Sequence, residues 1–249
     1  MIIFKLIFGF VVGASFGSFL SCLIFRLTHK INLLKRSFCP YCEKPIKWND
    51  NIPVFSFLFL RRKCRYCRNK ISWENFIVEF LLGVSFGLIA LLYSFPQFIF
   101  YWIIIFALFF LFLDDLKNQK VELSVLWPLT LLVAAFDLYS KQSLWSIFVS
   151  LIIASVFFLG QYFLTKKKGI GIGDFWIGIL MAFILVQPKF LITALFLSYL
   201  IGAFISVLLL IAKKCRLKTT IPLAPFLTTG TLITFFWGEK IIGWYLSLF

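Results

Sequence analysis

Two aspartates stand where a carboxylate is expensive to keep. Asp115, and Asp174 within Gly171-Ile172-Gly173-Asp174, each lie beside a long apolar stretch in a chain that is 61% hydrophobic and holds 10 acidic residues. An ionisable group at a membrane boundary costs free energy and is a functional candidate for that reason. Two carboxylates held close together cannot both ionise easily, so one pKa rises and the pair shares a proton. Such a pair can hydrolyse an amide: one carboxylate activates water while the other donates a hydrogen bond to the carbonyl under attack. That chemistry needs no metal, Ser, Cys or His, and the chain has a single His. Gly171 and Gly173 would give the backbone freedom to adopt unusual dihedrals and let an extended peptide approach. The ordinary alternative for an acid at a helix end is a solvated cap. It fits Asp114 and Glu122, and Asp174 also opens a helix, where capping and the helix dipole favour a carboxylate.

A second constellation is Cys39-Pro40-Tyr41-Cys42 followed by Cys64-Arg65-Tyr66-Cys67, two CxxC pairs with 21 residues between them. Four thiolates suit tetrahedral zinc, and each CxxC lets one tight turn supply two ligands. A redox dithiol would need one CxxC near a βαβ pattern, which is absent, and disulfides are disfavoured in a reducing cytoplasm. Lys63, Arg65, Arg68 and Lys70 would offset the charge of the thiolates. Cys22 and Cys215 lie outside the cluster and read as packing residues; His29 reads as a membrane-surface residue.

The elements that must position these residues are apolar helices. A mean hydropathy of +0.98 and 34 Phe in 249 residues exclude an ordinary soluble domain. Several apolar runs approach the roughly 20 residues that cross a bilayer as a helix, and they are too continuous for the alternating strands of a barrel. The pattern predicts an all-α polytopic membrane protein of about eight spans: Ile2–Phe25, Asn75–Ser94, Phe98–Leu113, Leu123–Leu138, Leu144–Leu164, Phe175–Val186, Phe190–Ala212 and Ile221–Leu248. No internal repeat is evident. The net charge of +15 could suggest nucleic acid, but its placement in short loops follows the positive-inside rule instead. With both termini outside, every Lys and Arg except Lys5, Lys141, Lys189 and Lys240 falls on the cytoplasmic side, as do Asp115 and Asp174. The first apolar run is followed by charge rather than preceded by it, which reads as a retained helix and not a cleaved signal. Three regions follow: a first helix at 1–27, a cytoplasmic tetracysteine insert at 28–74 that is too small to fold without a staple, and a seven-helix core at 75–249.

Together these residues resemble the prepilin leader peptidase family, bifunctional membrane enzymes whose protease is of the GxGD aspartyl class. The likeness runs along nearly the whole chain. Gly17-Ser18-Phe19-Leu20 with Phe25-Arg26-Leu27 is similar to the family's first-helix pattern. So, in order, are Ser37 to Cys42, Asp50-Asn51-Ile52-Pro53, Leu60 to Cys67, Ile71-Ser72, Val78-Glu79, the GIGD stretch, and Ile221-Pro222 through Pro225-Phe226. The family places its first catalytic aspartate before Leu, Ile or Ala with an aliphatic residue six positions on. Leu116 and Val121 give that register to Asp115 and not to Asp114. Glu122 stands where the family usually has Pro, Trp176 where it has Lys, and Asn75-Phe76 where it has Tyr-Pro.

The resemblance implies Asp115 and Asp174 as catalytic residues in an endopeptidase that removes a short basic leader from pilin-like substrates at the cytoplasmic face of the bacterial inner membrane. It also implies structural zinc on Cys39, Cys42, Cys64 and Cys67, and methylation of the new N-terminus from S-adenosylmethionine, linked to the insert and to Glu79. No glycine-rich dinucleotide fingerprint supports that last activity independently. A transporter or channel with a zinc module, or an inactive assembly scaffold, are the competing readings.

Overall fold

The computed structural model describes residues 2–32, 36–119, 121–165, 171–213 and 221–248. Its long helices follow the apolar runs: α1 (Ile2–His29), α3 (Trp73–Leu92), α4 (Gln97–Asn118), α5 (Leu123–Tyr139), α6 (Leu144–Leu164), α7 (Ile172–Leu185), α8 (Pro188–Ile211) and α9 (Ala224–Leu246). The insert adds a 3-10 turn at Trp48–Asn51 and a short helix, α2 (Phe55–Phe59). α1, α3, α4, α6 and α8 are long and apolar enough to cross a bilayer, and α5 and α7 are shorter apolar helices. The protein is therefore a multi-pass membrane protein. Cys215 lies outside the described residues.

The chain forms two compact units, Met1–Phe110 and Leu111–Phe249. In the first, α1 and α3 pack tightly along Gly9, Gly13 and Gly17, which recur every fourth residue on one face of α1. A Cβ at Gly9 would lie 2.7 Å from the Phe86 carbonyl oxygen, and one at Gly17 would lie 2.7 Å from the Glu79 Cα. Small residues at this spacing let two membrane helices approach backbone to backbone. Ser72 caps α3, its hydroxyl accepting from the Glu74 N–H at 3.2 Å. Trp102 donates its indole N–H to the Phe86 carbonyl at 2.9 Å and stacks on the Phe86 ring.

In the second unit α7 is the hub, packed against α5, α6, α8 and α9. Ile177, Leu180, Met181 and Ala182 are fully buried. With 14 residues, α7 is only about 21 Å long, short of the roughly 30 Å hydrocarbon thickness. Neighbouring helices bury one side of it, and contact with protein is what lets a short helix be tolerated at membrane depth.

Candidate active site and metal centre

Asp115 lies in the last turn of α4 and is buried. Its Oδ2 accepts the backbone N–H of Ala224 at 3.1 Å. Ala224 is the first residue of α9, and first-turn N–H groups have no partner inside their own helix. The next residue, Pro225, has no N–H to offer. The Ile221 to Phe226 stretch therefore presents one donor, at the positive end of a helix dipole, to a carboxylate far away in sequence.

Asp174 is half-buried in the first turn of α7. Its Oδ2 accepts the Gly171 N–H at 3.1 Å, and its own N–H donates to the Gly171 carbonyl at 3.1 Å. The carboxylate so reaches back over the N-terminus of its own helix. Both carboxylates thus have one oxygen on a backbone N–H at a helix N-terminus, within one compact unit.

The glycines act differently from the expectation of unusual dihedrals. No described glycine has a positive φ, and Gly171 is extended at φ −75°, ψ 152°. What Gly173 provides is room: a Cβ there would lie 2.8 Å from the Val121 Cβ. Val121 is the aliphatic residue six positions after Asp115, so this contact ties the segment leaving Asp115 to the first turn of α7. At Gly171 the nearest atom to an added Cβ is Asp174 Oδ2 at 3.5 Å, an ordinary contact. Gly173→Ala is expected to cost about 1–3 kcal/mol by overpacking and to lower activity. Val121→Gly, which removes the Cβ in that contact, should restore it, and Gly171→Ala should be near neutral. Thermal unfolding of the single and double variants checks this; equal effects at both glycines would remove the steric explanation.

Two polar residues near this site carry no motif. Tyr199 on α8 donates its hydroxyl to Gln161 Oε1 on α6 at 2.8 Å. Their only sequence signal is polarity inside otherwise apolar runs. Asp114 accepts from Asn118 Nδ2 at 2.6 Å, while its buried Oδ2 has no partner. Trp176, in place of the family's Lys, packs its ring 4.2 Å from that of Trp127.

The insert contains the repeat that sequence inspection missed. Residues 37–48 and 62–73 share Cys, Tyr, Cys, Ile and Trp at matching positions. The Cys39 N–H donates to Lys44 O at 3.0 Å, and the Cys64 N–H to Asn69 O at 2.9 Å. The Ile46 N–H donates to Ser37 O, and the Ile71 N–H to Arg62 O, both at 2.9 Å. Glu43 and Arg68, each directly after its second Cys, have positive φ of 55° and 57°. Two like knuckles are thereby formed. Short length and few identities hid the pattern in the sequence; the matched hydrogen bonds expose it.

The knuckles bring the Cys39, Cys42, Cys64 and Cys67 sulfurs within 4.8 Å of one another, with Cys39 and Cys67 at 3.8 Å. A tetrahedral zinc with bonds of about 2.3 Å separates its sulfurs by about 3.8 Å. The donor set fits zinc, and four protein ligands leave no open position for a reactive water. The Cys67 N–H pulls the Cys64 thiol down to about 7 against the effect of burial. Arg65 holds Asp50 through two bonds of 2.8 and 2.6 Å and keeps that carboxyl below its usual range.

Glu79 is where three of the sequence blocks meet. It is buried on α3, against Gly17 of α1. Its Oε2 accepts the Val54 N–H at 2.7 Å. Val54 has φ 65° and ψ −52°, and the Phe55 N–H closes on Pro53 O at 2.7 Å. This is a γ-turn in its strained form, at a β-branched residue. Such a turn persists only where its surroundings enforce it. Glu79→Ala should leave a buried N–H unpaired, at about 1–3 kcal/mol, and open the 50–55 loop to proteolysis. Glu79→Gln keeps an acceptor and should behave nearly as wild type; equal cleavage of both variants would refute the anchoring role.

Comparison with known proteins matches most of the chain to one family. Residues 11–93 match the Bacterial Peptidase A24 N-terminal domain, and residues 102–207 match the Type IV leader peptidase family. Proteins named prepilin leader peptidase/N-methyltransferase align over most of the chain. The one from Legionella pneumophila is 31% identical over 88% of this chain and 78% of its own length. That from Aeromonas hydrophila is 29% identical over 87% and 77%, and that from Bacillus subtilis 25% over 96% and 97%. No solved structure matches significantly.

Proposed function

The chain belongs to the type IV leader peptidase family, and from that membership we propose that it is an aspartyl endopeptidase acting on prepilin-like proteins. The observation that carries this reading is the seating of Asp115 and Asp174, each on a helix-terminal N–H of one compact unit. In the proposed reaction one carboxylate takes a proton from water. The hydroxide attacks the scissile carbonyl, whose oxygen receives a hydrogen bond from the protonated partner. The C–N bond then breaks, and the leaving amine takes up a proton from the acid. The assignment of catalysis to Asp115 and Asp174, with Gly171 and Gly173 in the active-site loop, is part of the proposal.

The basic loops support an orientation with both termini outside and the insert and both aspartates cytoplasmic. A basic leader stays on that side by the same rule, so its cleavage site meets the carboxylates while its apolar helix docks laterally from the lipid. Zinc on the four cysteines would hold the insert folded. Its relatives' names extend the proposal to methylation of the new N-terminus, with S-adenosylmethionine as donor substrate and Glu79, through the loop it anchors, as the candidate residue. Co-expression with a prepilin and mass spectrometry of the mature N-terminus tests both parts. A shortened, methylated product is expected; an unprocessed substrate beside a folded enzyme would overturn the peptidase reading, and a shortened product lacking the methyl group would overturn the second.

A further inference from the structure

The insert carries an apolar face that no other part of the described chain covers, and the structure fixes the depth of that face. α2 reads Phe55-Ser56-Phe57-Leu58-Phe59. Phe57 points inward, with its ring 5.0 Å from Trp73 and 4.9 Å from Phe76. Those two residues form the first turn of α3, a helix able to cross a bilayer. α2 is thereby pinned at the level where that span leaves the lipid. Phe55, Leu58 and Phe59 fall at i, i+3 and i+4, one face of a helix, and are 51%, 58% and 83% exposed. The adjoining 3-10 turn packs on α2 and leaves Trp48 75% exposed. Trp48 is the counterpart, in the first knuckle, of Trp73 in the second.

Cations follow directly. Arg62 turns inward, donating from Nε to Ile71 O at 3.1 Å and covering the Trp73 ring. Arg61 and Lys63 are exposed. The neighbouring acid, Asp50, is already taken by Arg65. An aromatic face at a span boundary, edged by the exposed cations Arg61 and Lys63, has the make-up of an interfacial element.

We infer that α2 and Trp48 seat the zinc insert on an anionic bilayer surface. Phe55, Leu58 and Phe59 enter the headgroup–acyl boundary, and Arg61 and Lys63 meet lipid phosphates. The charge pattern selects anionic lipid as the occupant over a second copy of this chain, whose same face would bring like charges together. The insert is then held at three places, the ends of α1 and α3 and the α2 face, so the attitude of the zinc site depends on the leaflet's charge. This inference stands apart from peptidase activity, and its test reads lipid contact alone.

The test uses the full zinc-loaded chain in nanodiscs of phosphatidylcholine, with or without phosphatidylglycerol. Photoreactive p-benzoylphenylalanine replaces Phe59 or, in a second variant, Trp48; both side chains are exposed, and zinc content reports that the insert is folded. Irradiation should yield lipid adducts by intact mass at both positions, enriched in phosphatidylglycerol. Arg61→Glu combined with Lys63→Glu should lower that enrichment about fivefold or more, as expected for cations at an anionic surface. Cross-links to a second copy or to an added prepilin in place of lipid would overturn the inference, as would no lipid adduct at either position, or enrichment unchanged by the charge reversal.

Discussion

Asp115→Asn and Asp174→Asn should each lower leader cleavage by about 10³-fold or more, the scale seen when one member of a catalytic unit is removed, while Asp114→Asn should cleave at close to the wild-type rate. The two critical substitutions are nearly isosteric. Asn at 115 can still accept the Ala224 N–H, and Asn at 174 can still accept the Gly171 N–H, so both variants should fold and accumulate normally. What disappears is the ability to share and pass a proton. Asp114 differs because its Oδ1 is already bound by Asn118 and its buried Oδ2 has no partner. An unpaired buried carboxylate is costly, so replacing it should be neutral or stabilising. Prepilin processing by the three variants, measured at matched protein levels, decides the matter. Loss at Asp114 with retention at Asp115 would reverse the assignment of the first aspartate.

Loss of metal should have the other large effect, confined to the insert. The segment between His29 and Trp73 holds few buried apolar side chains, Val54 and Phe57 among them. Four thiolates around zinc contribute about 10–16 kcal/mol in small domains of this kind, more than such a core can replace. Cys64→Ser, or a strong chelator, should therefore release about one zinc per chain, the content of a single four-thiolate site, and expose residues 30–72 to protease while the membrane helices stay intact. Elemental analysis with limited proteolysis reads both. A protein that purifies without zinc, yet with a protease-resistant insert, would refute the staple.

Much of this was legible beforehand because it is local. Apolar runs bounded by charge placed the helices within a few residues, and Leu144–Leu164 was placed at its observed bounds. The thiol spacing pointed to four ligands because a CxxC turn is a short-range geometry. The register of Leu116 and Val121 favoured Asp115, and the structure gives Val121 a physical part through its contact with Gly173. The knuckle repeat was missed because five shared positions in twelve do not stand out until the hydrogen bonds are seen to match.

The sequence by itself determined the class of the protein, its apolar helices and the residue types available for chemistry, since hydropathy and motif spacing act over a few residues. Only the tertiary structure decided which backbone N–H each aspartate receives, why Gly173 must lack a side chain, that Glu79 holds a strained turn at Val54, and that α2 shows an aromatic face beside Arg61 and Lys63. The long-range ones depend on groups distant in the chain, Asp115 and Ala224 being 109 positions apart and Glu79 and Val54 being 25. Packing brings such groups together, and no local periodicity records it.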